Sequence, residues 1–202
     1  MLQLRGVNIR MSSNYNSCKG SIQDNKKQQK IIQTILKKDN HKKVGILMGS
    51  PNDYNKMKEA KYMLDTLGIE SEIKVLSAHR QPEEVAELSK NARDNGFAAF
   101  ICGAGMAAHL AGVVSAHTTL PVVGVPLSGS ALNGVDALYA TVQMPKGIPV
   151  ATVAIDNSTN AALLVAQMLS ITDKNLYEKL EIIREKTREQ YNDIELPLSK
   201  SE

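Results

Sequence analysis

Five short apolar runs, each closed by a turn and followed by apolar residues at helical spacing, leave few folds open to this chain. The first, Val44-Gly45-Ile46-Leu47-Met48, is unbroken and of strand length, as suits a strand covered on both faces. It ends in Gly49-Ser50-Pro51-Asn52-Asp53, where Ser50 or Asn52 can cap a helix carrying Met57, Ala60, Leu64 and Leu67, with Gly68 as its C-terminal stop. The same grammar repeats with a strand through Ile73 and Val75 to Leu76 and a helix from about Pro82 carrying Val85, Leu88 and Ala92. It repeats again with the strand Ala98–Cys102, the loop Gly103-Ala104-Gly105 and a small-residue helix through about Ser115. Val122–Val125 is the fourth strand, and Val150–Ala154 the fifth, leading into a helix of about Ala161–Leu169. Strands alternating with helices at this spacing imply βαβ units, which close right-handed onto a parallel sheet. The expected fold is an α/β, three-layer α/β/α sandwich on five parallel strands.

Two further segments do not belong to that repeat. Ser128–Gly134, a helical stretch near Val135–Val142 and Met144–Pro149 give more connection than strands four and five need, so they are candidates for covering a site. The last helix, about Asp173–Asn192, carries a narrow apolar stripe at Leu176, Leu180, Ile183 and Thr187. Such a stripe suits packing on a neighbouring subunit or a solvated end helix.

Charge divides the chain in two. Of the net +3, residues 1–43 hold ten Lys or Arg against two acids, or +8, which leaves −5 for residues 44–202. A nucleic-acid footprint on the folded part is therefore not expected. Residues 1–42 are polar and basic, rich in Asn, Ser, Gln and Lys. They read as an extension outside the fold, with a short amphipathic helix over Gln28–Lys38 or a start at Met11 as variants of that reading. Two Cys and no apolar run long enough to cross a bilayer argue against a disulfide framework or a membrane span, and a cytoplasmic location is expected, with organellar targeting by the acid-poor N-terminal extension as the alternative.

Chemistry concentrates where strands stop. His79 and Arg80 follow the second strand and precede Pro82-Glu83-Glu84, the first turn of a helix, in a position where open parallel sheets bind ligands. Gly49–Asp53, Ser77–Arg80 and Gly103–Gly105 converge on one edge, each leading into a helix N-terminus that favours an anion. Ser50, Ser77 and Arg80 offer donors for a phosphate, and Asp53 an acceptor for ribose hydroxyls. A phosphorylated ribose fits the set. The G-x-G-x-x-A match at Gly103–Ala108 is weak, because no acid follows the next strand, and no Walker lysine follows Gly49-Ser50. His117 reads as structural, His109 as a candidate for the pocket wall, and no metal-ligand spacing is present.

Met48-Gly49-Ser50-Pro51-Asn52-Asp53, Ser77-Ala78-His79-Arg80, Gly103-Ala104-Gly105 with Ala107-Ala108-His109-Leu110, and Val142–Val150 together resemble the N5-carboxyaminoimidazole ribonucleotide mutase (PurE) family from about Lys43 to Asp193. The resemblance makes residues 43–202 the catalytic domain. It implies a flavodoxin-like fold, a homo-octamer, a phosphoribosyl aminoimidazole substrate and a carboxylate transfer from N5 to C4 without metal, ATP or biotin. It also implies His79 as the acid/base, with Ser50, Asp53 and Arg80 as substrate ligands. Met106 and Ala111 depart from the family, many members of which carry Gly and Pro there. A direct carboxylase using free carbon dioxide is one alternative, disfavoured by Gly103-Ala104-Gly105, and a non-catalytic phosphoribose-binding module is another.

In such a transfer the carbamate releases carbon dioxide and C4 recaptures it, after which a base must remove the C4 proton. An imidazole can supply the proton that the departing nitrogen needs and take the one from C4. The Gly103–Gly105 turn would offer N–H donors to the migrating carboxylate.

Overall fold

The computed structural model describes residues 43–192; the expected extension, with its helix over Gln28–Lys38, lies outside them. Five strands, β1 (Lys43–Met48), β2 (Ser71–Val75), β3 (Phe97–Gly105), β4 (Val122–Leu127) and β5 (Ala151–Thr152), form one parallel sheet in the order β2-β1-β3-β4-β5. The helices are α1 (Tyr54–Leu67), α2 (Pro82–Lys90), α3 (Leu110–His117), α4 (Val135–Val142), α5 (Ser158–Ser170) and α6 (Lys174–Asn192). None of them is long and apolar enough to cross a membrane.

The two-residue period of a strand sorts the core into two layers. Val44, Ile46, Met48, Ala99, Ile101, Val123 and Val125 meet Met57, Ala60 and Leu64 of α1 and Ala161, Ala162, Val165 and Ala166 of α5 on one face. Leu47, Phe100, Cys102 and Val122 meet Val85 of α2 and Leu110, Ala111 and Val114 of α3 on the other. Ala111, in the first turn of α3, is buried in that second layer. Cys102 is fully buried, and burial pushes its thiol well above the ordinary range, so it is inert filling.

Helix α1 ends as its sequence implies. Gly68 takes the left-handed conformation (φ 73°) and its N–H returns to the carbonyls of Asp65 and Leu64. Lys179 of α6 donates to the Leu67 carbonyl at 2.7 Å, and Leu176 and Leu180 are buried in the α1/α5 layer with Ile183 packed against it. The first half of α6 thus packs on its own chain.

Several boundaries differ from the sequence expectation, β4 among them, which runs past Val125 to Leu127. β3 runs three residues further, so Gly103, Ala104 and Gly105 are strand residues paired with Val125, Pro126 and Leu127 rather than a loop. Neither glycine has positive φ. A Cβ on Gly103 would lie 2.3 Å from Met57 Sδ, and one on Gly105 would lie 3.2 Å from the Leu127 carbonyl oxygen, so close packing and not turn geometry excludes larger residues. β5 is shorter than Val150–Ala154, although Val153 still donates to the Gly124 carbonyl at 3.2 Å. Helix α2 stops at Lys90, two residues short of the buried Ala92.

Candidate functional site

The strand order reverses between β1 and β3: the connection from β1 leads outward to β2, and the next crosses back to β3. Crevices at such switch points, beyond the carboxyl ends of the strands, are where open α/β sheets bind ligands. The segments after β1, β2 and β3 border this one.

After β1, Ser50 takes an extended conformation and caps the 3-10 turn Pro51–Asp53, its Oγ accepting the Asn52 N–H at 3.3 Å. The Asp53 N–H donates to the Ser50 carbonyl at 3.1 Å, and a backbone hydrogen bond from Ser50 reaches the Asp53 carboxylate. Ser50 and Asp53 thus cap the turn together, the Ser50 hydroxyl on the Asn52 N–H and the Asp53 carboxylate on the Ser50 backbone. Asp53 is half-buried, and desolvation raises its pKa above the ordinary carboxylate value. The Ser50 hydrogen bond and the positive charges of Lys56 and Arg80 oppose that, while Asp156 adds to it. Among the described residues Asp53 forms no contact ion pair.

After β2, Ser77 is buried and its Oγ accepts from the Arg80 backbone N–H at 3.4 Å and from Arg80 Nε at 3.3 Å. The other end of that guanidinium donates to the Gly49 carbonyl at 2.6 Å. Arg80 therefore ties the turn after β2 to the end of β1. The neighbouring His79 is exposed to the crevice.

After β3 the chain turns through Met106 at φ 54°, a left-handed conformation that costs a side-chain-bearing residue about 1–2 kcal/mol. Glycine would fit there more easily. The Ala108 and His109 N–H groups then donate back to the Met106 and Ala107 carbonyls at 2.9 and 2.7 Å. This delivers His109 to His79: His109 Nδ1 lies 2.7 Å from His79 Nε2, with the rings edge-to-face and their centroids 4.8 Å apart. One of the facing nitrogens must donate and the other accept, so the two rings share a proton and their tautomers are coupled.

Gly103, Ala104 and Gly105 border the crevice as the end of a strand. Gly103 accepts the Gly49 N–H at 3.2 Å, which places its polar groups on the β1 side. Gly105, two residues on, directs its N–H to that same side beyond the end of β1. The donor expected from a glycine turn is thus reduced to one strand-end amide.

Two features were not legible in the sequence. His109 is the direct partner of His79, 30 positions away, and not merely a wall. A polar cluster of Lys56, Ser128 and Asp156 also adjoins Asp53, formed from segments that only the fold brings together. His117 is structural, its Nδ1 lying 2.8 Å from the Val113 carbonyl oxygen of its own helix. A cleft of about 890 Å³ opens at the other edge of the sheet, between Arg93, His117, Pro121, Pro149 and Met168, away from these strand ends.

Residues 43–190 match the family model described as AIR carboxylase. The chain is 52% identical over 143 residues to the N5-carboxyaminoimidazole ribonucleotide mutase of Pyrococcus abyssi, a match covering 71% of this chain and 82% of that one. It is 50% identical over 148 residues to the protein of the same name from Bacillus subtilis, covering 72% and 91%. Among solved structures, Treponema denticola PurE superposes with a TM-score of 0.69 at 30% identity, covering 75% of this chain and 94% of that one. A fold with the crevice at the β1/β3 switch point, a family match over residues 43–190 and about half of the aligned residues shared with such relatives over most of their length leave one conclusion: the chain belongs to the AIR carboxylase family.

Proposed function

We propose that this chain is an N5-carboxyaminoimidazole ribonucleotide mutase, moving the carboxylate from N5 to C4 of the ring to give 4-carboxy-5-aminoimidazole ribonucleotide in purine biosynthesis. The observation that carries the chemistry is the His79–His109 contact at 2.7 Å in the crevice. The rearrangement needs one proton delivered and one removed, with no net change. Loss of carbon dioxide from the carbamate leaves a nitrogen that takes up a proton. Attack of C4 on the carbon dioxide forms the new C–C bond and leaves C4 with a surplus hydrogen, whose removal restores the aromatic ring. A pair of imidazoles sharing one proton can lend it in the first step and recover one in the second, a general acid–base contribution of about 10²–10⁴-fold.

In this reading His79 transfers the proton and His109 orients the ring and holds the proton between steps. Arg80, already fixed by Gly49 and Ser77, presents its remaining N–H groups to the phosphate, with the Ser50 and Ser77 hydroxyls beside it. Asp53 accepts hydrogen bonds from the ribose hydroxyls. The Gly105 N–H, beyond the end of β1, meets the migrating carboxylate, and the small residues Gly103 and Ala104 keep the strand end clear for it.

A homo-octamer belongs to the same proposal. Leu132 and, on one side of α4, Val135, Tyr139 and Val142 are exposed at spacings of three and four, an apolar face suited to a second copy of the chain. Light scattering giving an active monomer at micromolar concentration would sink that part. The reaction is tested by incubating the protein with the N5-carboxylated ribonucleotide, and separately with the uncarboxylated ribonucleotide plus bicarbonate. A mutase forms C4-carboxylated product efficiently from the first. Product from the second alone would make the protein a direct carboxylase, and no product from either would reduce it to a binding module.

A further inference from the structure

Asp53 and Lys56 stand three residues apart at the start of α1, a spacing at which an acid and a lysine ordinarily meet. Here they do not. The Lys56 ammonium is 2.9 Å from Asp156 Oδ1, 2.6 Å from Ser128 Oγ and 3.0 Å from the Ser128 carbonyl oxygen. Two hydrogen bonds to Ser128 and an ion pair with Asp156 thus hold the ammonium on this side. Asp156 is itself fixed by the Ser128 N–H at 2.9 Å and the Ser128 hydroxyl at 2.5 Å, and its backbone takes the left-handed conformation (φ 59°). The Ser158 hydroxyl donates to the Lys56 carbonyl at 2.5 Å, joining the start of α5 to the same cluster. Asp53's other nearby cation, Arg80, is committed to Gly49 and Ser77.

We propose that Asp156, with Ser128, is a positioning group for substrate binding: it holds the Lys56 ammonium off the Asp53 carboxylate, so that Asp53 stays open to the ribose hydroxyls. This rests on the reading of Asp53 as a ribose ligand. The charged groups facing Asp53 are Lys56, Arg80 and Asp156, and the electrostatics agree with the geometry. Asp156 adds to the upward shift at Asp53. Its own carboxyl, pushed up by burial, is nevertheless held below the ordinary value by Ser128 and Lys56, so it stays charged at neutral pH.

The test is a four-variant comparison of steady-state kinetics on the N5-carboxylated ribonucleotide. Asp156→Asn removes the charge while keeping the size, and an amide residue tolerates left-handed backbone well. Lys56, left with only the neutral Ser128 oxygens and no charged partner there, shifts its charge toward Asp53, and KM rises about fivefold, the scale of a partly screened ion pair, with kcat changed less than about twofold. Its acid limb of kcat/KM moves to lower pH, because Asp53 loses a negative neighbour and gains a positive one. Lys56→Gln alone leaves KM near the wild-type value, and Lys56→Gln with Asp156→Asn restores it to within about twofold, since nothing is left to occupy Asp53. A purely structural cluster gives the opposite, a double variant no better than Asp156→Asn, and that result overturns the proposal. An unchanged KM and pH limb in Asp156→Asn does so too. Asp53→Asn separates the two levels: raised KM there with an unaffected Asp156→Asn refutes this inference alone, whereas unchanged KM in Asp53→Asn refutes the ribose role and the inference with it.

Discussion

Replacing Gly103 by Ala places a methyl group where Met57 already is. The new Cβ would sit 2.3 Å from Met57 Sδ and 2.9 Å from both its Cγ and Cε, whereas ordinary contact begins near 3.4 Å. Met57 is fully buried among Val44, Ile46, Met48 and Leu64, so its side chain cannot swing into solvent and its neighbours must shift with it. Overpacking of this kind costs about 1–3 kcal/mol. For a folded region of this size it lowers the melting temperature by roughly 3–10 °C. Shortening the obstacle by Met57→Val in the same protein gives the methyl room. Thermal melts of the two single variants and the double should therefore be non-additive, the double being less destabilised than the sum by at least about 1 kcal/mol. A Gly103→Ala protein that melts within a degree of wild type, or costs that simply add, would refute the account of why glycine stands at the end of β3.

Leu180→Ala tests where α6 belongs: truncating a leucine buried against α1 and α5 should cost about 2–3 kcal/mol and lower the melting temperature roughly 5–10 °C. A melt unchanged from wild type would place that face outside this chain's own core. Asp53→Asn should raise thermal stability of the ligand-free protein at neutral pH, because a charge that burial disfavours is removed. The sign follows from the raised pKa: the charge cost is full above the folded-state pKa, shrinks as pH falls below it and is gone below the ordinary value of 3.8, where Asp53 is neutral in both states. Melting curves from pH 7 to pH 4 should converge, and a variant less stable than wild type at pH 7 would contradict this.

Much of the fold was written in local patterns. Apolar runs bounded by turn residues marked all five strands, and Met57, Ala60, Leu64 and Leu67 with Gly68 marked α1 to its last residue. Gly103-Ala104-Gly105 reads as a turn in the sequence because glycine ordinarily signals one, yet it is the end of β3. Its reason there is the approach of Met57 and Leu127, which no local pattern contains. Val150–Ala154 has strand composition throughout, yet only two residues register on β4, since an edge strand is as long as its neighbour's pairing allows. The Leu176–Leu180 stripe is apolar in the sequence alone, but that its partners are α1 and α5 and not another subunit is a matter of tertiary placement. The same limit applies to the site. Ser50, Asp53, Ser77, His79 and Arg80 are marked by chemistry at strand ends, whereas the His79–His109 contact spans 30 positions, and the Lys56 cluster joins α1 to residues 72 and 100 positions onward.

The proton pair carries the proposed reaction, and His79→Asn tests it most directly. Asparagine keeps a polar group of similar reach but cannot pass a proton near neutral pH. Titration of the variant with the N5-carboxylated ribonucleotide should give near-normal affinity, while turnover in the same preparation falls at least about 10²-fold. A variant that binds and still turns over at close to the wild-type rate would show that the proton travels by another route, and the roles assigned to His79 and His109 would be wrong.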